Sequence, residues 1–278
     1  MIILTGHEGF IGQNFCEELD LGNVYRVERD DACTFLDYFN DWGEVELILH
    51  QGAISSTVET NINKIHRYNV DYTLRLFEKA IEHQIPVRYA SSASVYGNFG
   101  CSLDANKVMN PLNYYAISKL QVDYWVQQNI DRFSNIQGFR YFNVFGGHEE
   151  LKVLQNQSSP VSKFVNDIKQ TGKIRLFEGS NKMVRDFVYV KDVVNIVLNN
   201  KLPSGIYDLG TGQPVSFQHV ADVIVDKIGG EIEYIPFPEH LKEKYQYYTC
   251  ADMSYLDHPY TYPYKFTTVE EYVKDCIH

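Results

Sequence analysis

"LTGHEGFIGQNF", residues 4–15, sets three glycines, Gly6, Gly9 and Gly12, between an apolar β-rich run and a segment with helical spacing. Glycine at such a junction permits a tight turn and lets the backbone approach a ligand closely. The first N–H groups of the following helix then face that ligand, where the helix dipole favours negative charge. The stretch reads as a cradle for the diphosphate of a dinucleotide. A bare glycine pattern also suits an ordinary strand–helix turn, and here the flanks decide: "IILT" (2–5) precedes it and helical spacing covers 10–20. Glu28 ends the next strand-like run, "VYRVE" (24–28), at the distance expected of a carboxylate that accepts ribose hydroxyls. Arg29 beside it suits a 2′-phosphate instead, so NAD and NADP both stay open.

Outward from this loop, short β-rich runs alternate with longer helical ones. "ELILH" (46–50), "VRYAS" (87–91) and "GFRYFN" (138–143) read as further strands, and 60–83 and 114–130 as helices. In the first of these helices Leu74, Phe77 and Ile81 keep one face apolar. Such alternation predicts βαβ units and a parallel sheet covered on both faces. The expected class is α/β: a Rossmann-type doubly wound parallel sheet with a smaller, interwoven C-terminal α/β substrate lobe. After Phe145 the rhythm breaks, and "GGHEELKVLQNQSSP" (146–160) reads as a long loop or lid. Helices are expected at 161–170, 191–199 and 267–277, with strands near 174–177 and 185–190, and "GIYDLGTG" (205–212) reads as another strand running into a Gly turn. The dinucleotide-binding domain is placed at 1–145, with 184–212 returning to it. The substrate lobe is placed at 146–183 and 213–278.

The 278 residues carry 25 Lys+Arg against 36 Asp+Glu, a formal charge of −11. That field repels phosphates, which argues against a nucleic-acid or anionic-membrane partner and requires any phosphate ligand to be held locally. Five scattered cysteines without a CxxC pair read as reduced thiols of a cytoplasmic protein. The chain opens directly on a strand-like run, so no signal peptide is expected. No apolar run approaches the ~20 residues that span a bilayer. The nine histidines are dispersed, and His219, His240 and His258 lack metal-ligand spacing, so no metal is expected.

Chemistry concentrates in "NPLNYYAISKLQVDYW" (110–125). Residues four apart on a helix sit only ~40° apart around the axis, residues five apart ~140°. Tyr115, rather than Tyr114, therefore projects beside Lys119. A phenol with pKa near 10 is a poor base at neutral pH, but a neighbouring ammonium favours its phenolate. Ser92 ends "VRYASS" (87–92), where ligands gather at the carboxyl edge of a parallel sheet, and its hydroxyl can hold a substrate oxygen. Tyr-x-x-x-Lys alone is usually a solvated helix face. With the glycine loop and the serine strand end it reads as a proton-transfer set.

"TGHEGFIG" (5–12), "SSASVYG" (91–97), "YAISK" (115–119) and "RDFVYVKDV" (185–193) together resemble the extended short-chain dehydrogenase/reductase superfamily, the nucleotide-sugar epimerases and dehydratases. Five further segments resemble the ADP-heptose 6-epimerases: "HQGAISST" (50–57), "GFRYFNVFG" (138–146), "LFEGS" (176–180), "DLGTGQPVSFQHVAD" (208–222) and "EIEYIPFPEHLKEKYQ" (231–246). The resemblance implies a tightly bound NADP or NAD that oxidises a hydroxyl-bearing sugar carbon. The ketone is then turned over and reduced on its other face, which needs an acid/base on each face. Tyr115 would be one and Lys152, in "HEELKVL" (148–154), the second, with Ser92 and Lys119 as further catalytic groups. The same resemblance assigns Gly6, Gly9, Phe10, Ile11, Gly12, Glu28, Arg29, Gln51, Gly52, Ala53, Ile54, Ser55, Asn69, Lys119 and Val144 to the cofactor. It assigns Ser92, Asn143, Phe177, Glu178, Gly179, Ser180, Arg185 and Tyr245 to a nucleotide-diphosphate sugar. Arg185 suits the diphosphate, being permanently charged and able to bind two oxygens at once. Members of the superfamily are usually homo-oligomers, and one is expected here.

The chain departs from that pattern at His7 and Glu8, which replace small residues of the glycine loop, and around Lys152, which lacks glycine-containing neighbours. A 4,6-dehydratase is disfavoured because Ala93 and Ser94, not an acid, follow Ser92. A 4-epimerase or 4-reductase of another nucleotide-sugar needs Tyr115 but not Lys152. A non-catalytic dinucleotide-binding protein has no use for Ser92, Tyr115 and Lys119 together.

Overall fold

The computed structural model describes residues 1–99, 109–155, 157–239, 245–257 and 264–277. Cys101, His240, His258 and part of the Tyr- and Pro-rich run at 258–266 lie outside them. The described chain divides into two compact units. Unit 1 comprises Met1–Val95, Pro111–Tyr141 and Val197–Tyr207; unit 2 comprises Tyr96–Asn110, Phe142–Ile196 and Asp208–His278.

Strands β1 (Ile2–Thr5), β2 (Val24–Val27), β3 (Leu47–His50), β4 (Val87–Ser92), β5 (Ile136–Tyr141) and β10 (Gly205–Leu209) form one sheet, in the order β10-β5-β4-β3-β1-β2. The β1·β2, β1·β3, β3·β4 and β4·β5 ladders are parallel. All six residues of β5 are buried, as expected of a strand covered on both faces. The chain leaves β1 to one side for β2 and then crosses to β3 on the other. The strand order reverses there, and ligands of doubly wound sheets bind at such a point. Helices α1 (Phe10–Glu18), α2 (Ala32–Tyr38), α3 (Ile62–Ile65), α4 (Tyr72–Glu82) and α5 (Tyr114–Asn129) connect these strands. Asn113 starts α5 by accepting the Ala116 N–H at 2.9 Å, a side-chain cap.

The expected helix over 60–83 is present but not uniform. A π-helical stretch, His66–Asp71, separates α3 from α4. The buried stripe of α4 is Tyr72, Thr73, Leu76, Phe77 and Ala80, whereas Leu74 and Ile81 lie at its margins. Phe77 anchors the core, wholly buried, with ring centroids 5.3 Å from Tyr89 and 6.1 Å from Phe133.

Unit 2 contains three strand pairs. β6 (Asn143–Phe145) runs parallel to β9 (Phe187–Tyr189), β7 (Lys173–Phe177) parallel to β12 (Glu231–Ile235), and β8 (Val184–Arg185) antiparallel to β11 (Val215–Ser216). The run read as one strand over 138–143 thus breaks at Phe142. Its N–H bonds to Leu209 O at 3.0 Å, while the next N–H, of Asn143, bonds to Asp186 O at 3.0 Å. The segment read as a loop after Phe145 carries a short helix, α6 (Glu150–Leu154). Helices α7 (Pro160–Thr171), α9 (Phe217–Ile228) and α10 (Val269–Cys276) bury Phe164, Ile224 and Tyr272 in one cluster, and α8 (Val190–Asn199) follows β9. Ser159, Ser216 and Thr268 cap α7, α9 and α10 through their hydroxyls. No helix among the described residues is long and apolar enough to cross a membrane.

Phe77→Ala removes an aromatic ring from a site that cannot easily collapse. Urea unfolding should show the unit 1 transition destabilised by about 3–5 kcal/mol, and a loss below 1 kcal/mol would show that Phe77 is not the anchor described here.

Candidate functional site

In unit 1 the glycine loop is closed by its own backbone. The Gly6 N–H bonds to Val27 O at 2.9 Å and the Gly9 N–H to Gly6 O at 3.2 Å. Gly6 has φ +71°, and a Cβ on it would stand 2.6 Å from the Gly52 Cα. A Cβ on Gly12 would stand 2.0 Å from Gly6 O. Both positions are therefore restricted to glycine by close backbone approach. Gly9 caps α1 without a side-chain acceptor, and no acidic residue occupies the first turn, so that helix end suits an anion. Phe10 is buried beside it and Ile11 half-buried.

Glu28 is tied to this loop. Its Oε1 accepts the Glu8 N–H at 2.7 Å and lies 3.2 Å from His7 Nδ1. Glu8 thereby acquires a role that residue type alone did not suggest: its N–H holds the carboxylate at the end of β2, with the His7 imidazole close by but not hydrogen-bonded to it. Arg29 is exposed and pairs with Asp30 at 3.2 Å. The segment after β3, Gln51 to Ser55, is braced by Asn69, which accepts the Ile54 N–H at 2.8 Å and donates to Ile54 O at 3.0 Å. Asn69 also donates to Ser118 Oγ on α5. Gln51 accepts the Tyr141 hydroxyl at 3.0 Å, while its Nε2 is buried without a partner among the described residues. An orphaned donor beside a backbone cradle that no side chain could share fits a polar cofactor.

On α5, Tyr115 and Ser92 share a hydrogen bond, and Tyr114 is 42% exposed. The structure places Tyr115, not Tyr114, beside Lys119. Burial pushes the Tyr115 phenol above its usual pKa, partly offset by the Ser92 bond, with Asp123 adding to the rise. Lys119 Nζ stands 6.0 Å from the Tyr115 ring centroid and donates to Ala90 O at 2.7 Å. Burial lowers the Lys119 ammonium to about 8, opposed by Asp123. The expected lowering of Tyr115 by Lys119 is thus absent: burial dominates, and Lys119 is not among the groups that act on the phenol.

Three residues here escaped the sequence reading. Ser94 donates both N–H and hydroxyl to Ser92 Oγ. Asp123, one turn beyond Lys119 and wholly buried, accepts from Tyr89, Ser91 and Arg140 at 2.9–3.0 Å. Ser118 donates to Tyr115 O at 2.7 Å. The i, i+4, i+8 spacing of Tyr115, Lys119 and Asp123 was the available signal.

In unit 2, Arg185 is 8% exposed. Its guanidinium lies 5.3 Å from the Tyr245 ring and 5.5 Å from that of Phe217, and no carboxylate among the described residues pairs with it. Burial lowers its pKa, with Tyr245 opposing. Phe177, Phe237, Tyr245 and Tyr247 form a chain of ring contacts 5.1–5.2 Å apart, of which Phe237 and Tyr247 were missed as site residues. Ser180 donates to Gln218 at 3.0 Å, Gly179 turns the chain at φ +81°, and Glu178 is exposed. Asn143 and Val144 lie half-buried on β6. Lys152 sits elsewhere in the unit, half-buried on α6, and burial lowers its ammonium pKa while Glu149 raises it. No group of three or more His, Cys, Asp or Glu side chains among the described residues could hold a metal ion.

Comparison with known proteins bears on these groups. The pattern of the NAD dependent epimerase/dehydratase family matches residues 2–210. The ADP-L-glycero-D-manno-heptose-6-epimerase of Alkalilimnicola ehrlichii is 38% identical, over 92% of this chain and 90% of that one. The crystal structure of the Helicobacter pylori ADP-L-glycero-D-manno-heptose-6-epimerase superposes with a TM-score of 0.79 at 25% identity, covering 99% of this chain and 94% of that one. The UDP-glucose 4-epimerase of Thermotoga maritima, solved with UDP-glucose, shares the fold with a TM-score of 0.80 at 19% identity, covering 98% and 96%.

Gly12→Ala forces its Cβ against Gly6 O and opens the cradle. Strain of roughly 1–3 kcal/mol should weaken dinucleotide binding by about ten- to a hundredfold in a fluorescence titration. Unchanged affinity would show that the cradle is not the binding surface.

Proposed function

Because the chain belongs to the NAD-dependent epimerase/dehydratase family, we propose that it is an epimerase that inverts C6 of an ADP-glycero-manno-heptose. The observation that carries this reading is the Ser92–Tyr115–Lys119 set on the same unit as the glycine cradle. Gly6, Gly9, Phe10, Ile11, Gly12, Glu28, the run Gln51 to Ser55, Asn69 and Lys119 hold the dinucleotide, with Arg29 at its margin; Val144 is a further cofactor residue of this reading. When bound, it supplies hydride removal and return and, in its oxidised form, a positive charge.

Ser92 holds the oxygen of the reacting sugar carbon, and Tyr115 moves the proton of that oxygen. A phenol raised by burial stays protonated alone, so Tyr115 depends on the positive charge of the oxidised dinucleotide to act as a base, while Lys119 holds its place through the Ala90 carbonyl. Lys152 serves as the second acid/base, for which an ammonium pKa lowered by burial is suited. Arg185, buried without a carboxylate partner, holds the diphosphate, and Tyr245 with Phe177 lines the nucleotide. Asn143, Glu178, Gly179 and Ser180 complete the substrate set.

Purified protein incubated with ADP-D-glycero-D-manno-heptose should invert C6, followed by NMR. Tyr115→Phe and Lys152→Ala should each slow this by about 10²–10⁴-fold while keeping the dinucleotide. Wild-type protein that holds dinucleotide but leaves C6 unchanged would overturn the substrate assignment.

The cofactor we propose is NAD rather than NADP. Glu28 is fixed at the ribose end by the Glu8 N–H, where a 2′-phosphate would meet its carboxylate, and Arg29 is engaged by Asp30. Mass spectrometry of the dinucleotide released by denaturation should give NAD; NADP as the major species would reverse this assignment.

A further inference from the structure

The segment that carries Lys152 is bolted down by a carboxylate for which neither the sequence motifs nor the mechanism above has a use. Glu149 is 3% exposed. Its Oε1 accepts the Gly146 N–H at 3.1 Å, the Ser159 hydroxyl at 2.7 Å and the Ser162 hydroxyl at 2.7 Å; its Oε2 accepts the Ser159 N–H at 2.5 Å. Ser159 Oγ in turn accepts the Ser162 N–H at 3.2 Å and so caps α7. Glu149 therefore ties both ends of the 146–159 segment together at the N-terminus of α7, where the helix dipole favours its charge. The Glu149 carbonyl accepts the Val153 N–H at 2.8 Å, which begins α6, and Lys152 follows three residues on, on the same helical face. The backbone feeding this anchor is constrained: His148 has φ +68°, and a Cβ on Gly146 would stand 2.6 Å from Val190 Cγ1. Backbone held in such conformations persists only where its surroundings over-determine it.

We propose that Glu149 is the positioning residue of Lys152, anchoring α6 on the N-terminus of α7 and placing a fixed negative charge one helical turn from the lysine. This rests on the reading of Lys152 as the second acid/base. The charge opposes the desolvation that would otherwise discharge the lysine, and Glu149 is the charge that acts on Lys152 in this direction. The other titratable groups near the pair are His148 and Glu150 on the same segment. On α7 they are Lys163 and Asp167, which pair with each other. On β9 and α10 they are Tyr189 and Tyr272, the latter raised to about 12 by burial first and by neighbouring groups that include Glu149 and Glu150. None of them places a second carboxylate inside the anchor.

The test compares kcat and KM for C6 inversion across pH in Glu149→Gln, Glu149→Asp, Ser162→Ala and Lys152→Ala, with thermal melting of each. Glu149→Gln keeps the shape and loses the charge: kcat should fall about ten- to a hundredfold with KM little changed. Its basic limb, where Lys152 loses its proton, should move down by about one pH unit. Glu149→Asp keeps the charge and retracts it, so kcat should fall while the limb stays in place. Ser162→Ala removes one donor and should leave the limb in place. Wild-type kcat and an unmoved limb in Glu149→Gln would overturn the proposal, as would an equal shift in Ser162→Ala. If Glu149→Gln does not fold, Glu149→Asp decides, and a wild-type kcat there overturns it. Full activity of Lys152→Ala would instead remove the reading on which the proposal rests.

Discussion

Asp123 holds unit 1 in the arrangement its chemistry needs. Tyr89 and Ser91 on β4 and Arg140 on β5 all donate to this one buried carboxylate on α5. A carboxylate out of water is tolerated only with such a full set of donors, and breaking a buried pair of this kind costs about 3–5 kcal/mol. Because Tyr89 and Ser91 flank Ala90, the same register delivers the Ala90 carbonyl to Lys119 and brings Ser92 to Tyr115. The Tyr–Lys spacing is a property of one helix. The meeting of that pair with Ser92 follows from how Asp123 locks helix to strand.

Desolvation dominates the electrostatics of that region, and it acts in one direction on bases and acids alike: it favours neutral forms. His50, buried between Thr5 and Thr73, is lowered to about 3, first by burial and then by Lys119. The folded chain thus binds fewer protons than the unfolded chain between about 3 and 6.5 at His50, and between about 8 and 10.5 at Lys119. In both windows stability rises with pH, and acidification through the His50 window costs stability. The imidazole is a neutral clamp in which Thr5 also accepts the Gly52 N–H, joining β1 to the loop that Gly6 touches. A group that could have been mistaken for an acid/base is thus part of the cradle's support.

What the sequence disclosed and what it withheld divide along the range of the interactions. The glycine loop and the choice of Tyr115 over Tyr114 depend on residues within a few positions of one another, so local pattern exposes them. The stripe of α4 was misphased because its buried face includes Thr73, Tyr72 and Ala80, which apolar spacing around Leu74 and Ile81 did not pick out. The helix inside 146–160 was missed because Leu151 and Leu154 are exposed, 58% and 79%, so no apolar face betrays it. Asp123 and Phe237 escaped because their partners come from elsewhere in the chain: Tyr89 is 34 positions away, and Phe177 is on another strand.

The two kinds of functional group are also treated differently by the fold. Side chains proposed to move protons, or to hold those that do, are satisfied from within: Lys119 by Ala90, Asn69 by Ile54 and Ser118, Ser92 by Ser94 and Tyr115. Gln51 Nε2 and the Arg185 guanidinium are buried without such compensation, apart from one Arg185 bond to the Val184 carbonyl. A buried guanidinium between two aromatic rings and without a carboxylate carries a desolvation cost that an anionic ligand removes. The first class would be expected to hold its geometry whatever is bound, since its bonds are internal. The second lowers its free energy only on ligation, so its contribution to stability is coupled to ligand. On the proposed roles, that separation lets rigid acid–base groups coexist in one chain with groups that gain stability only when ligand binds.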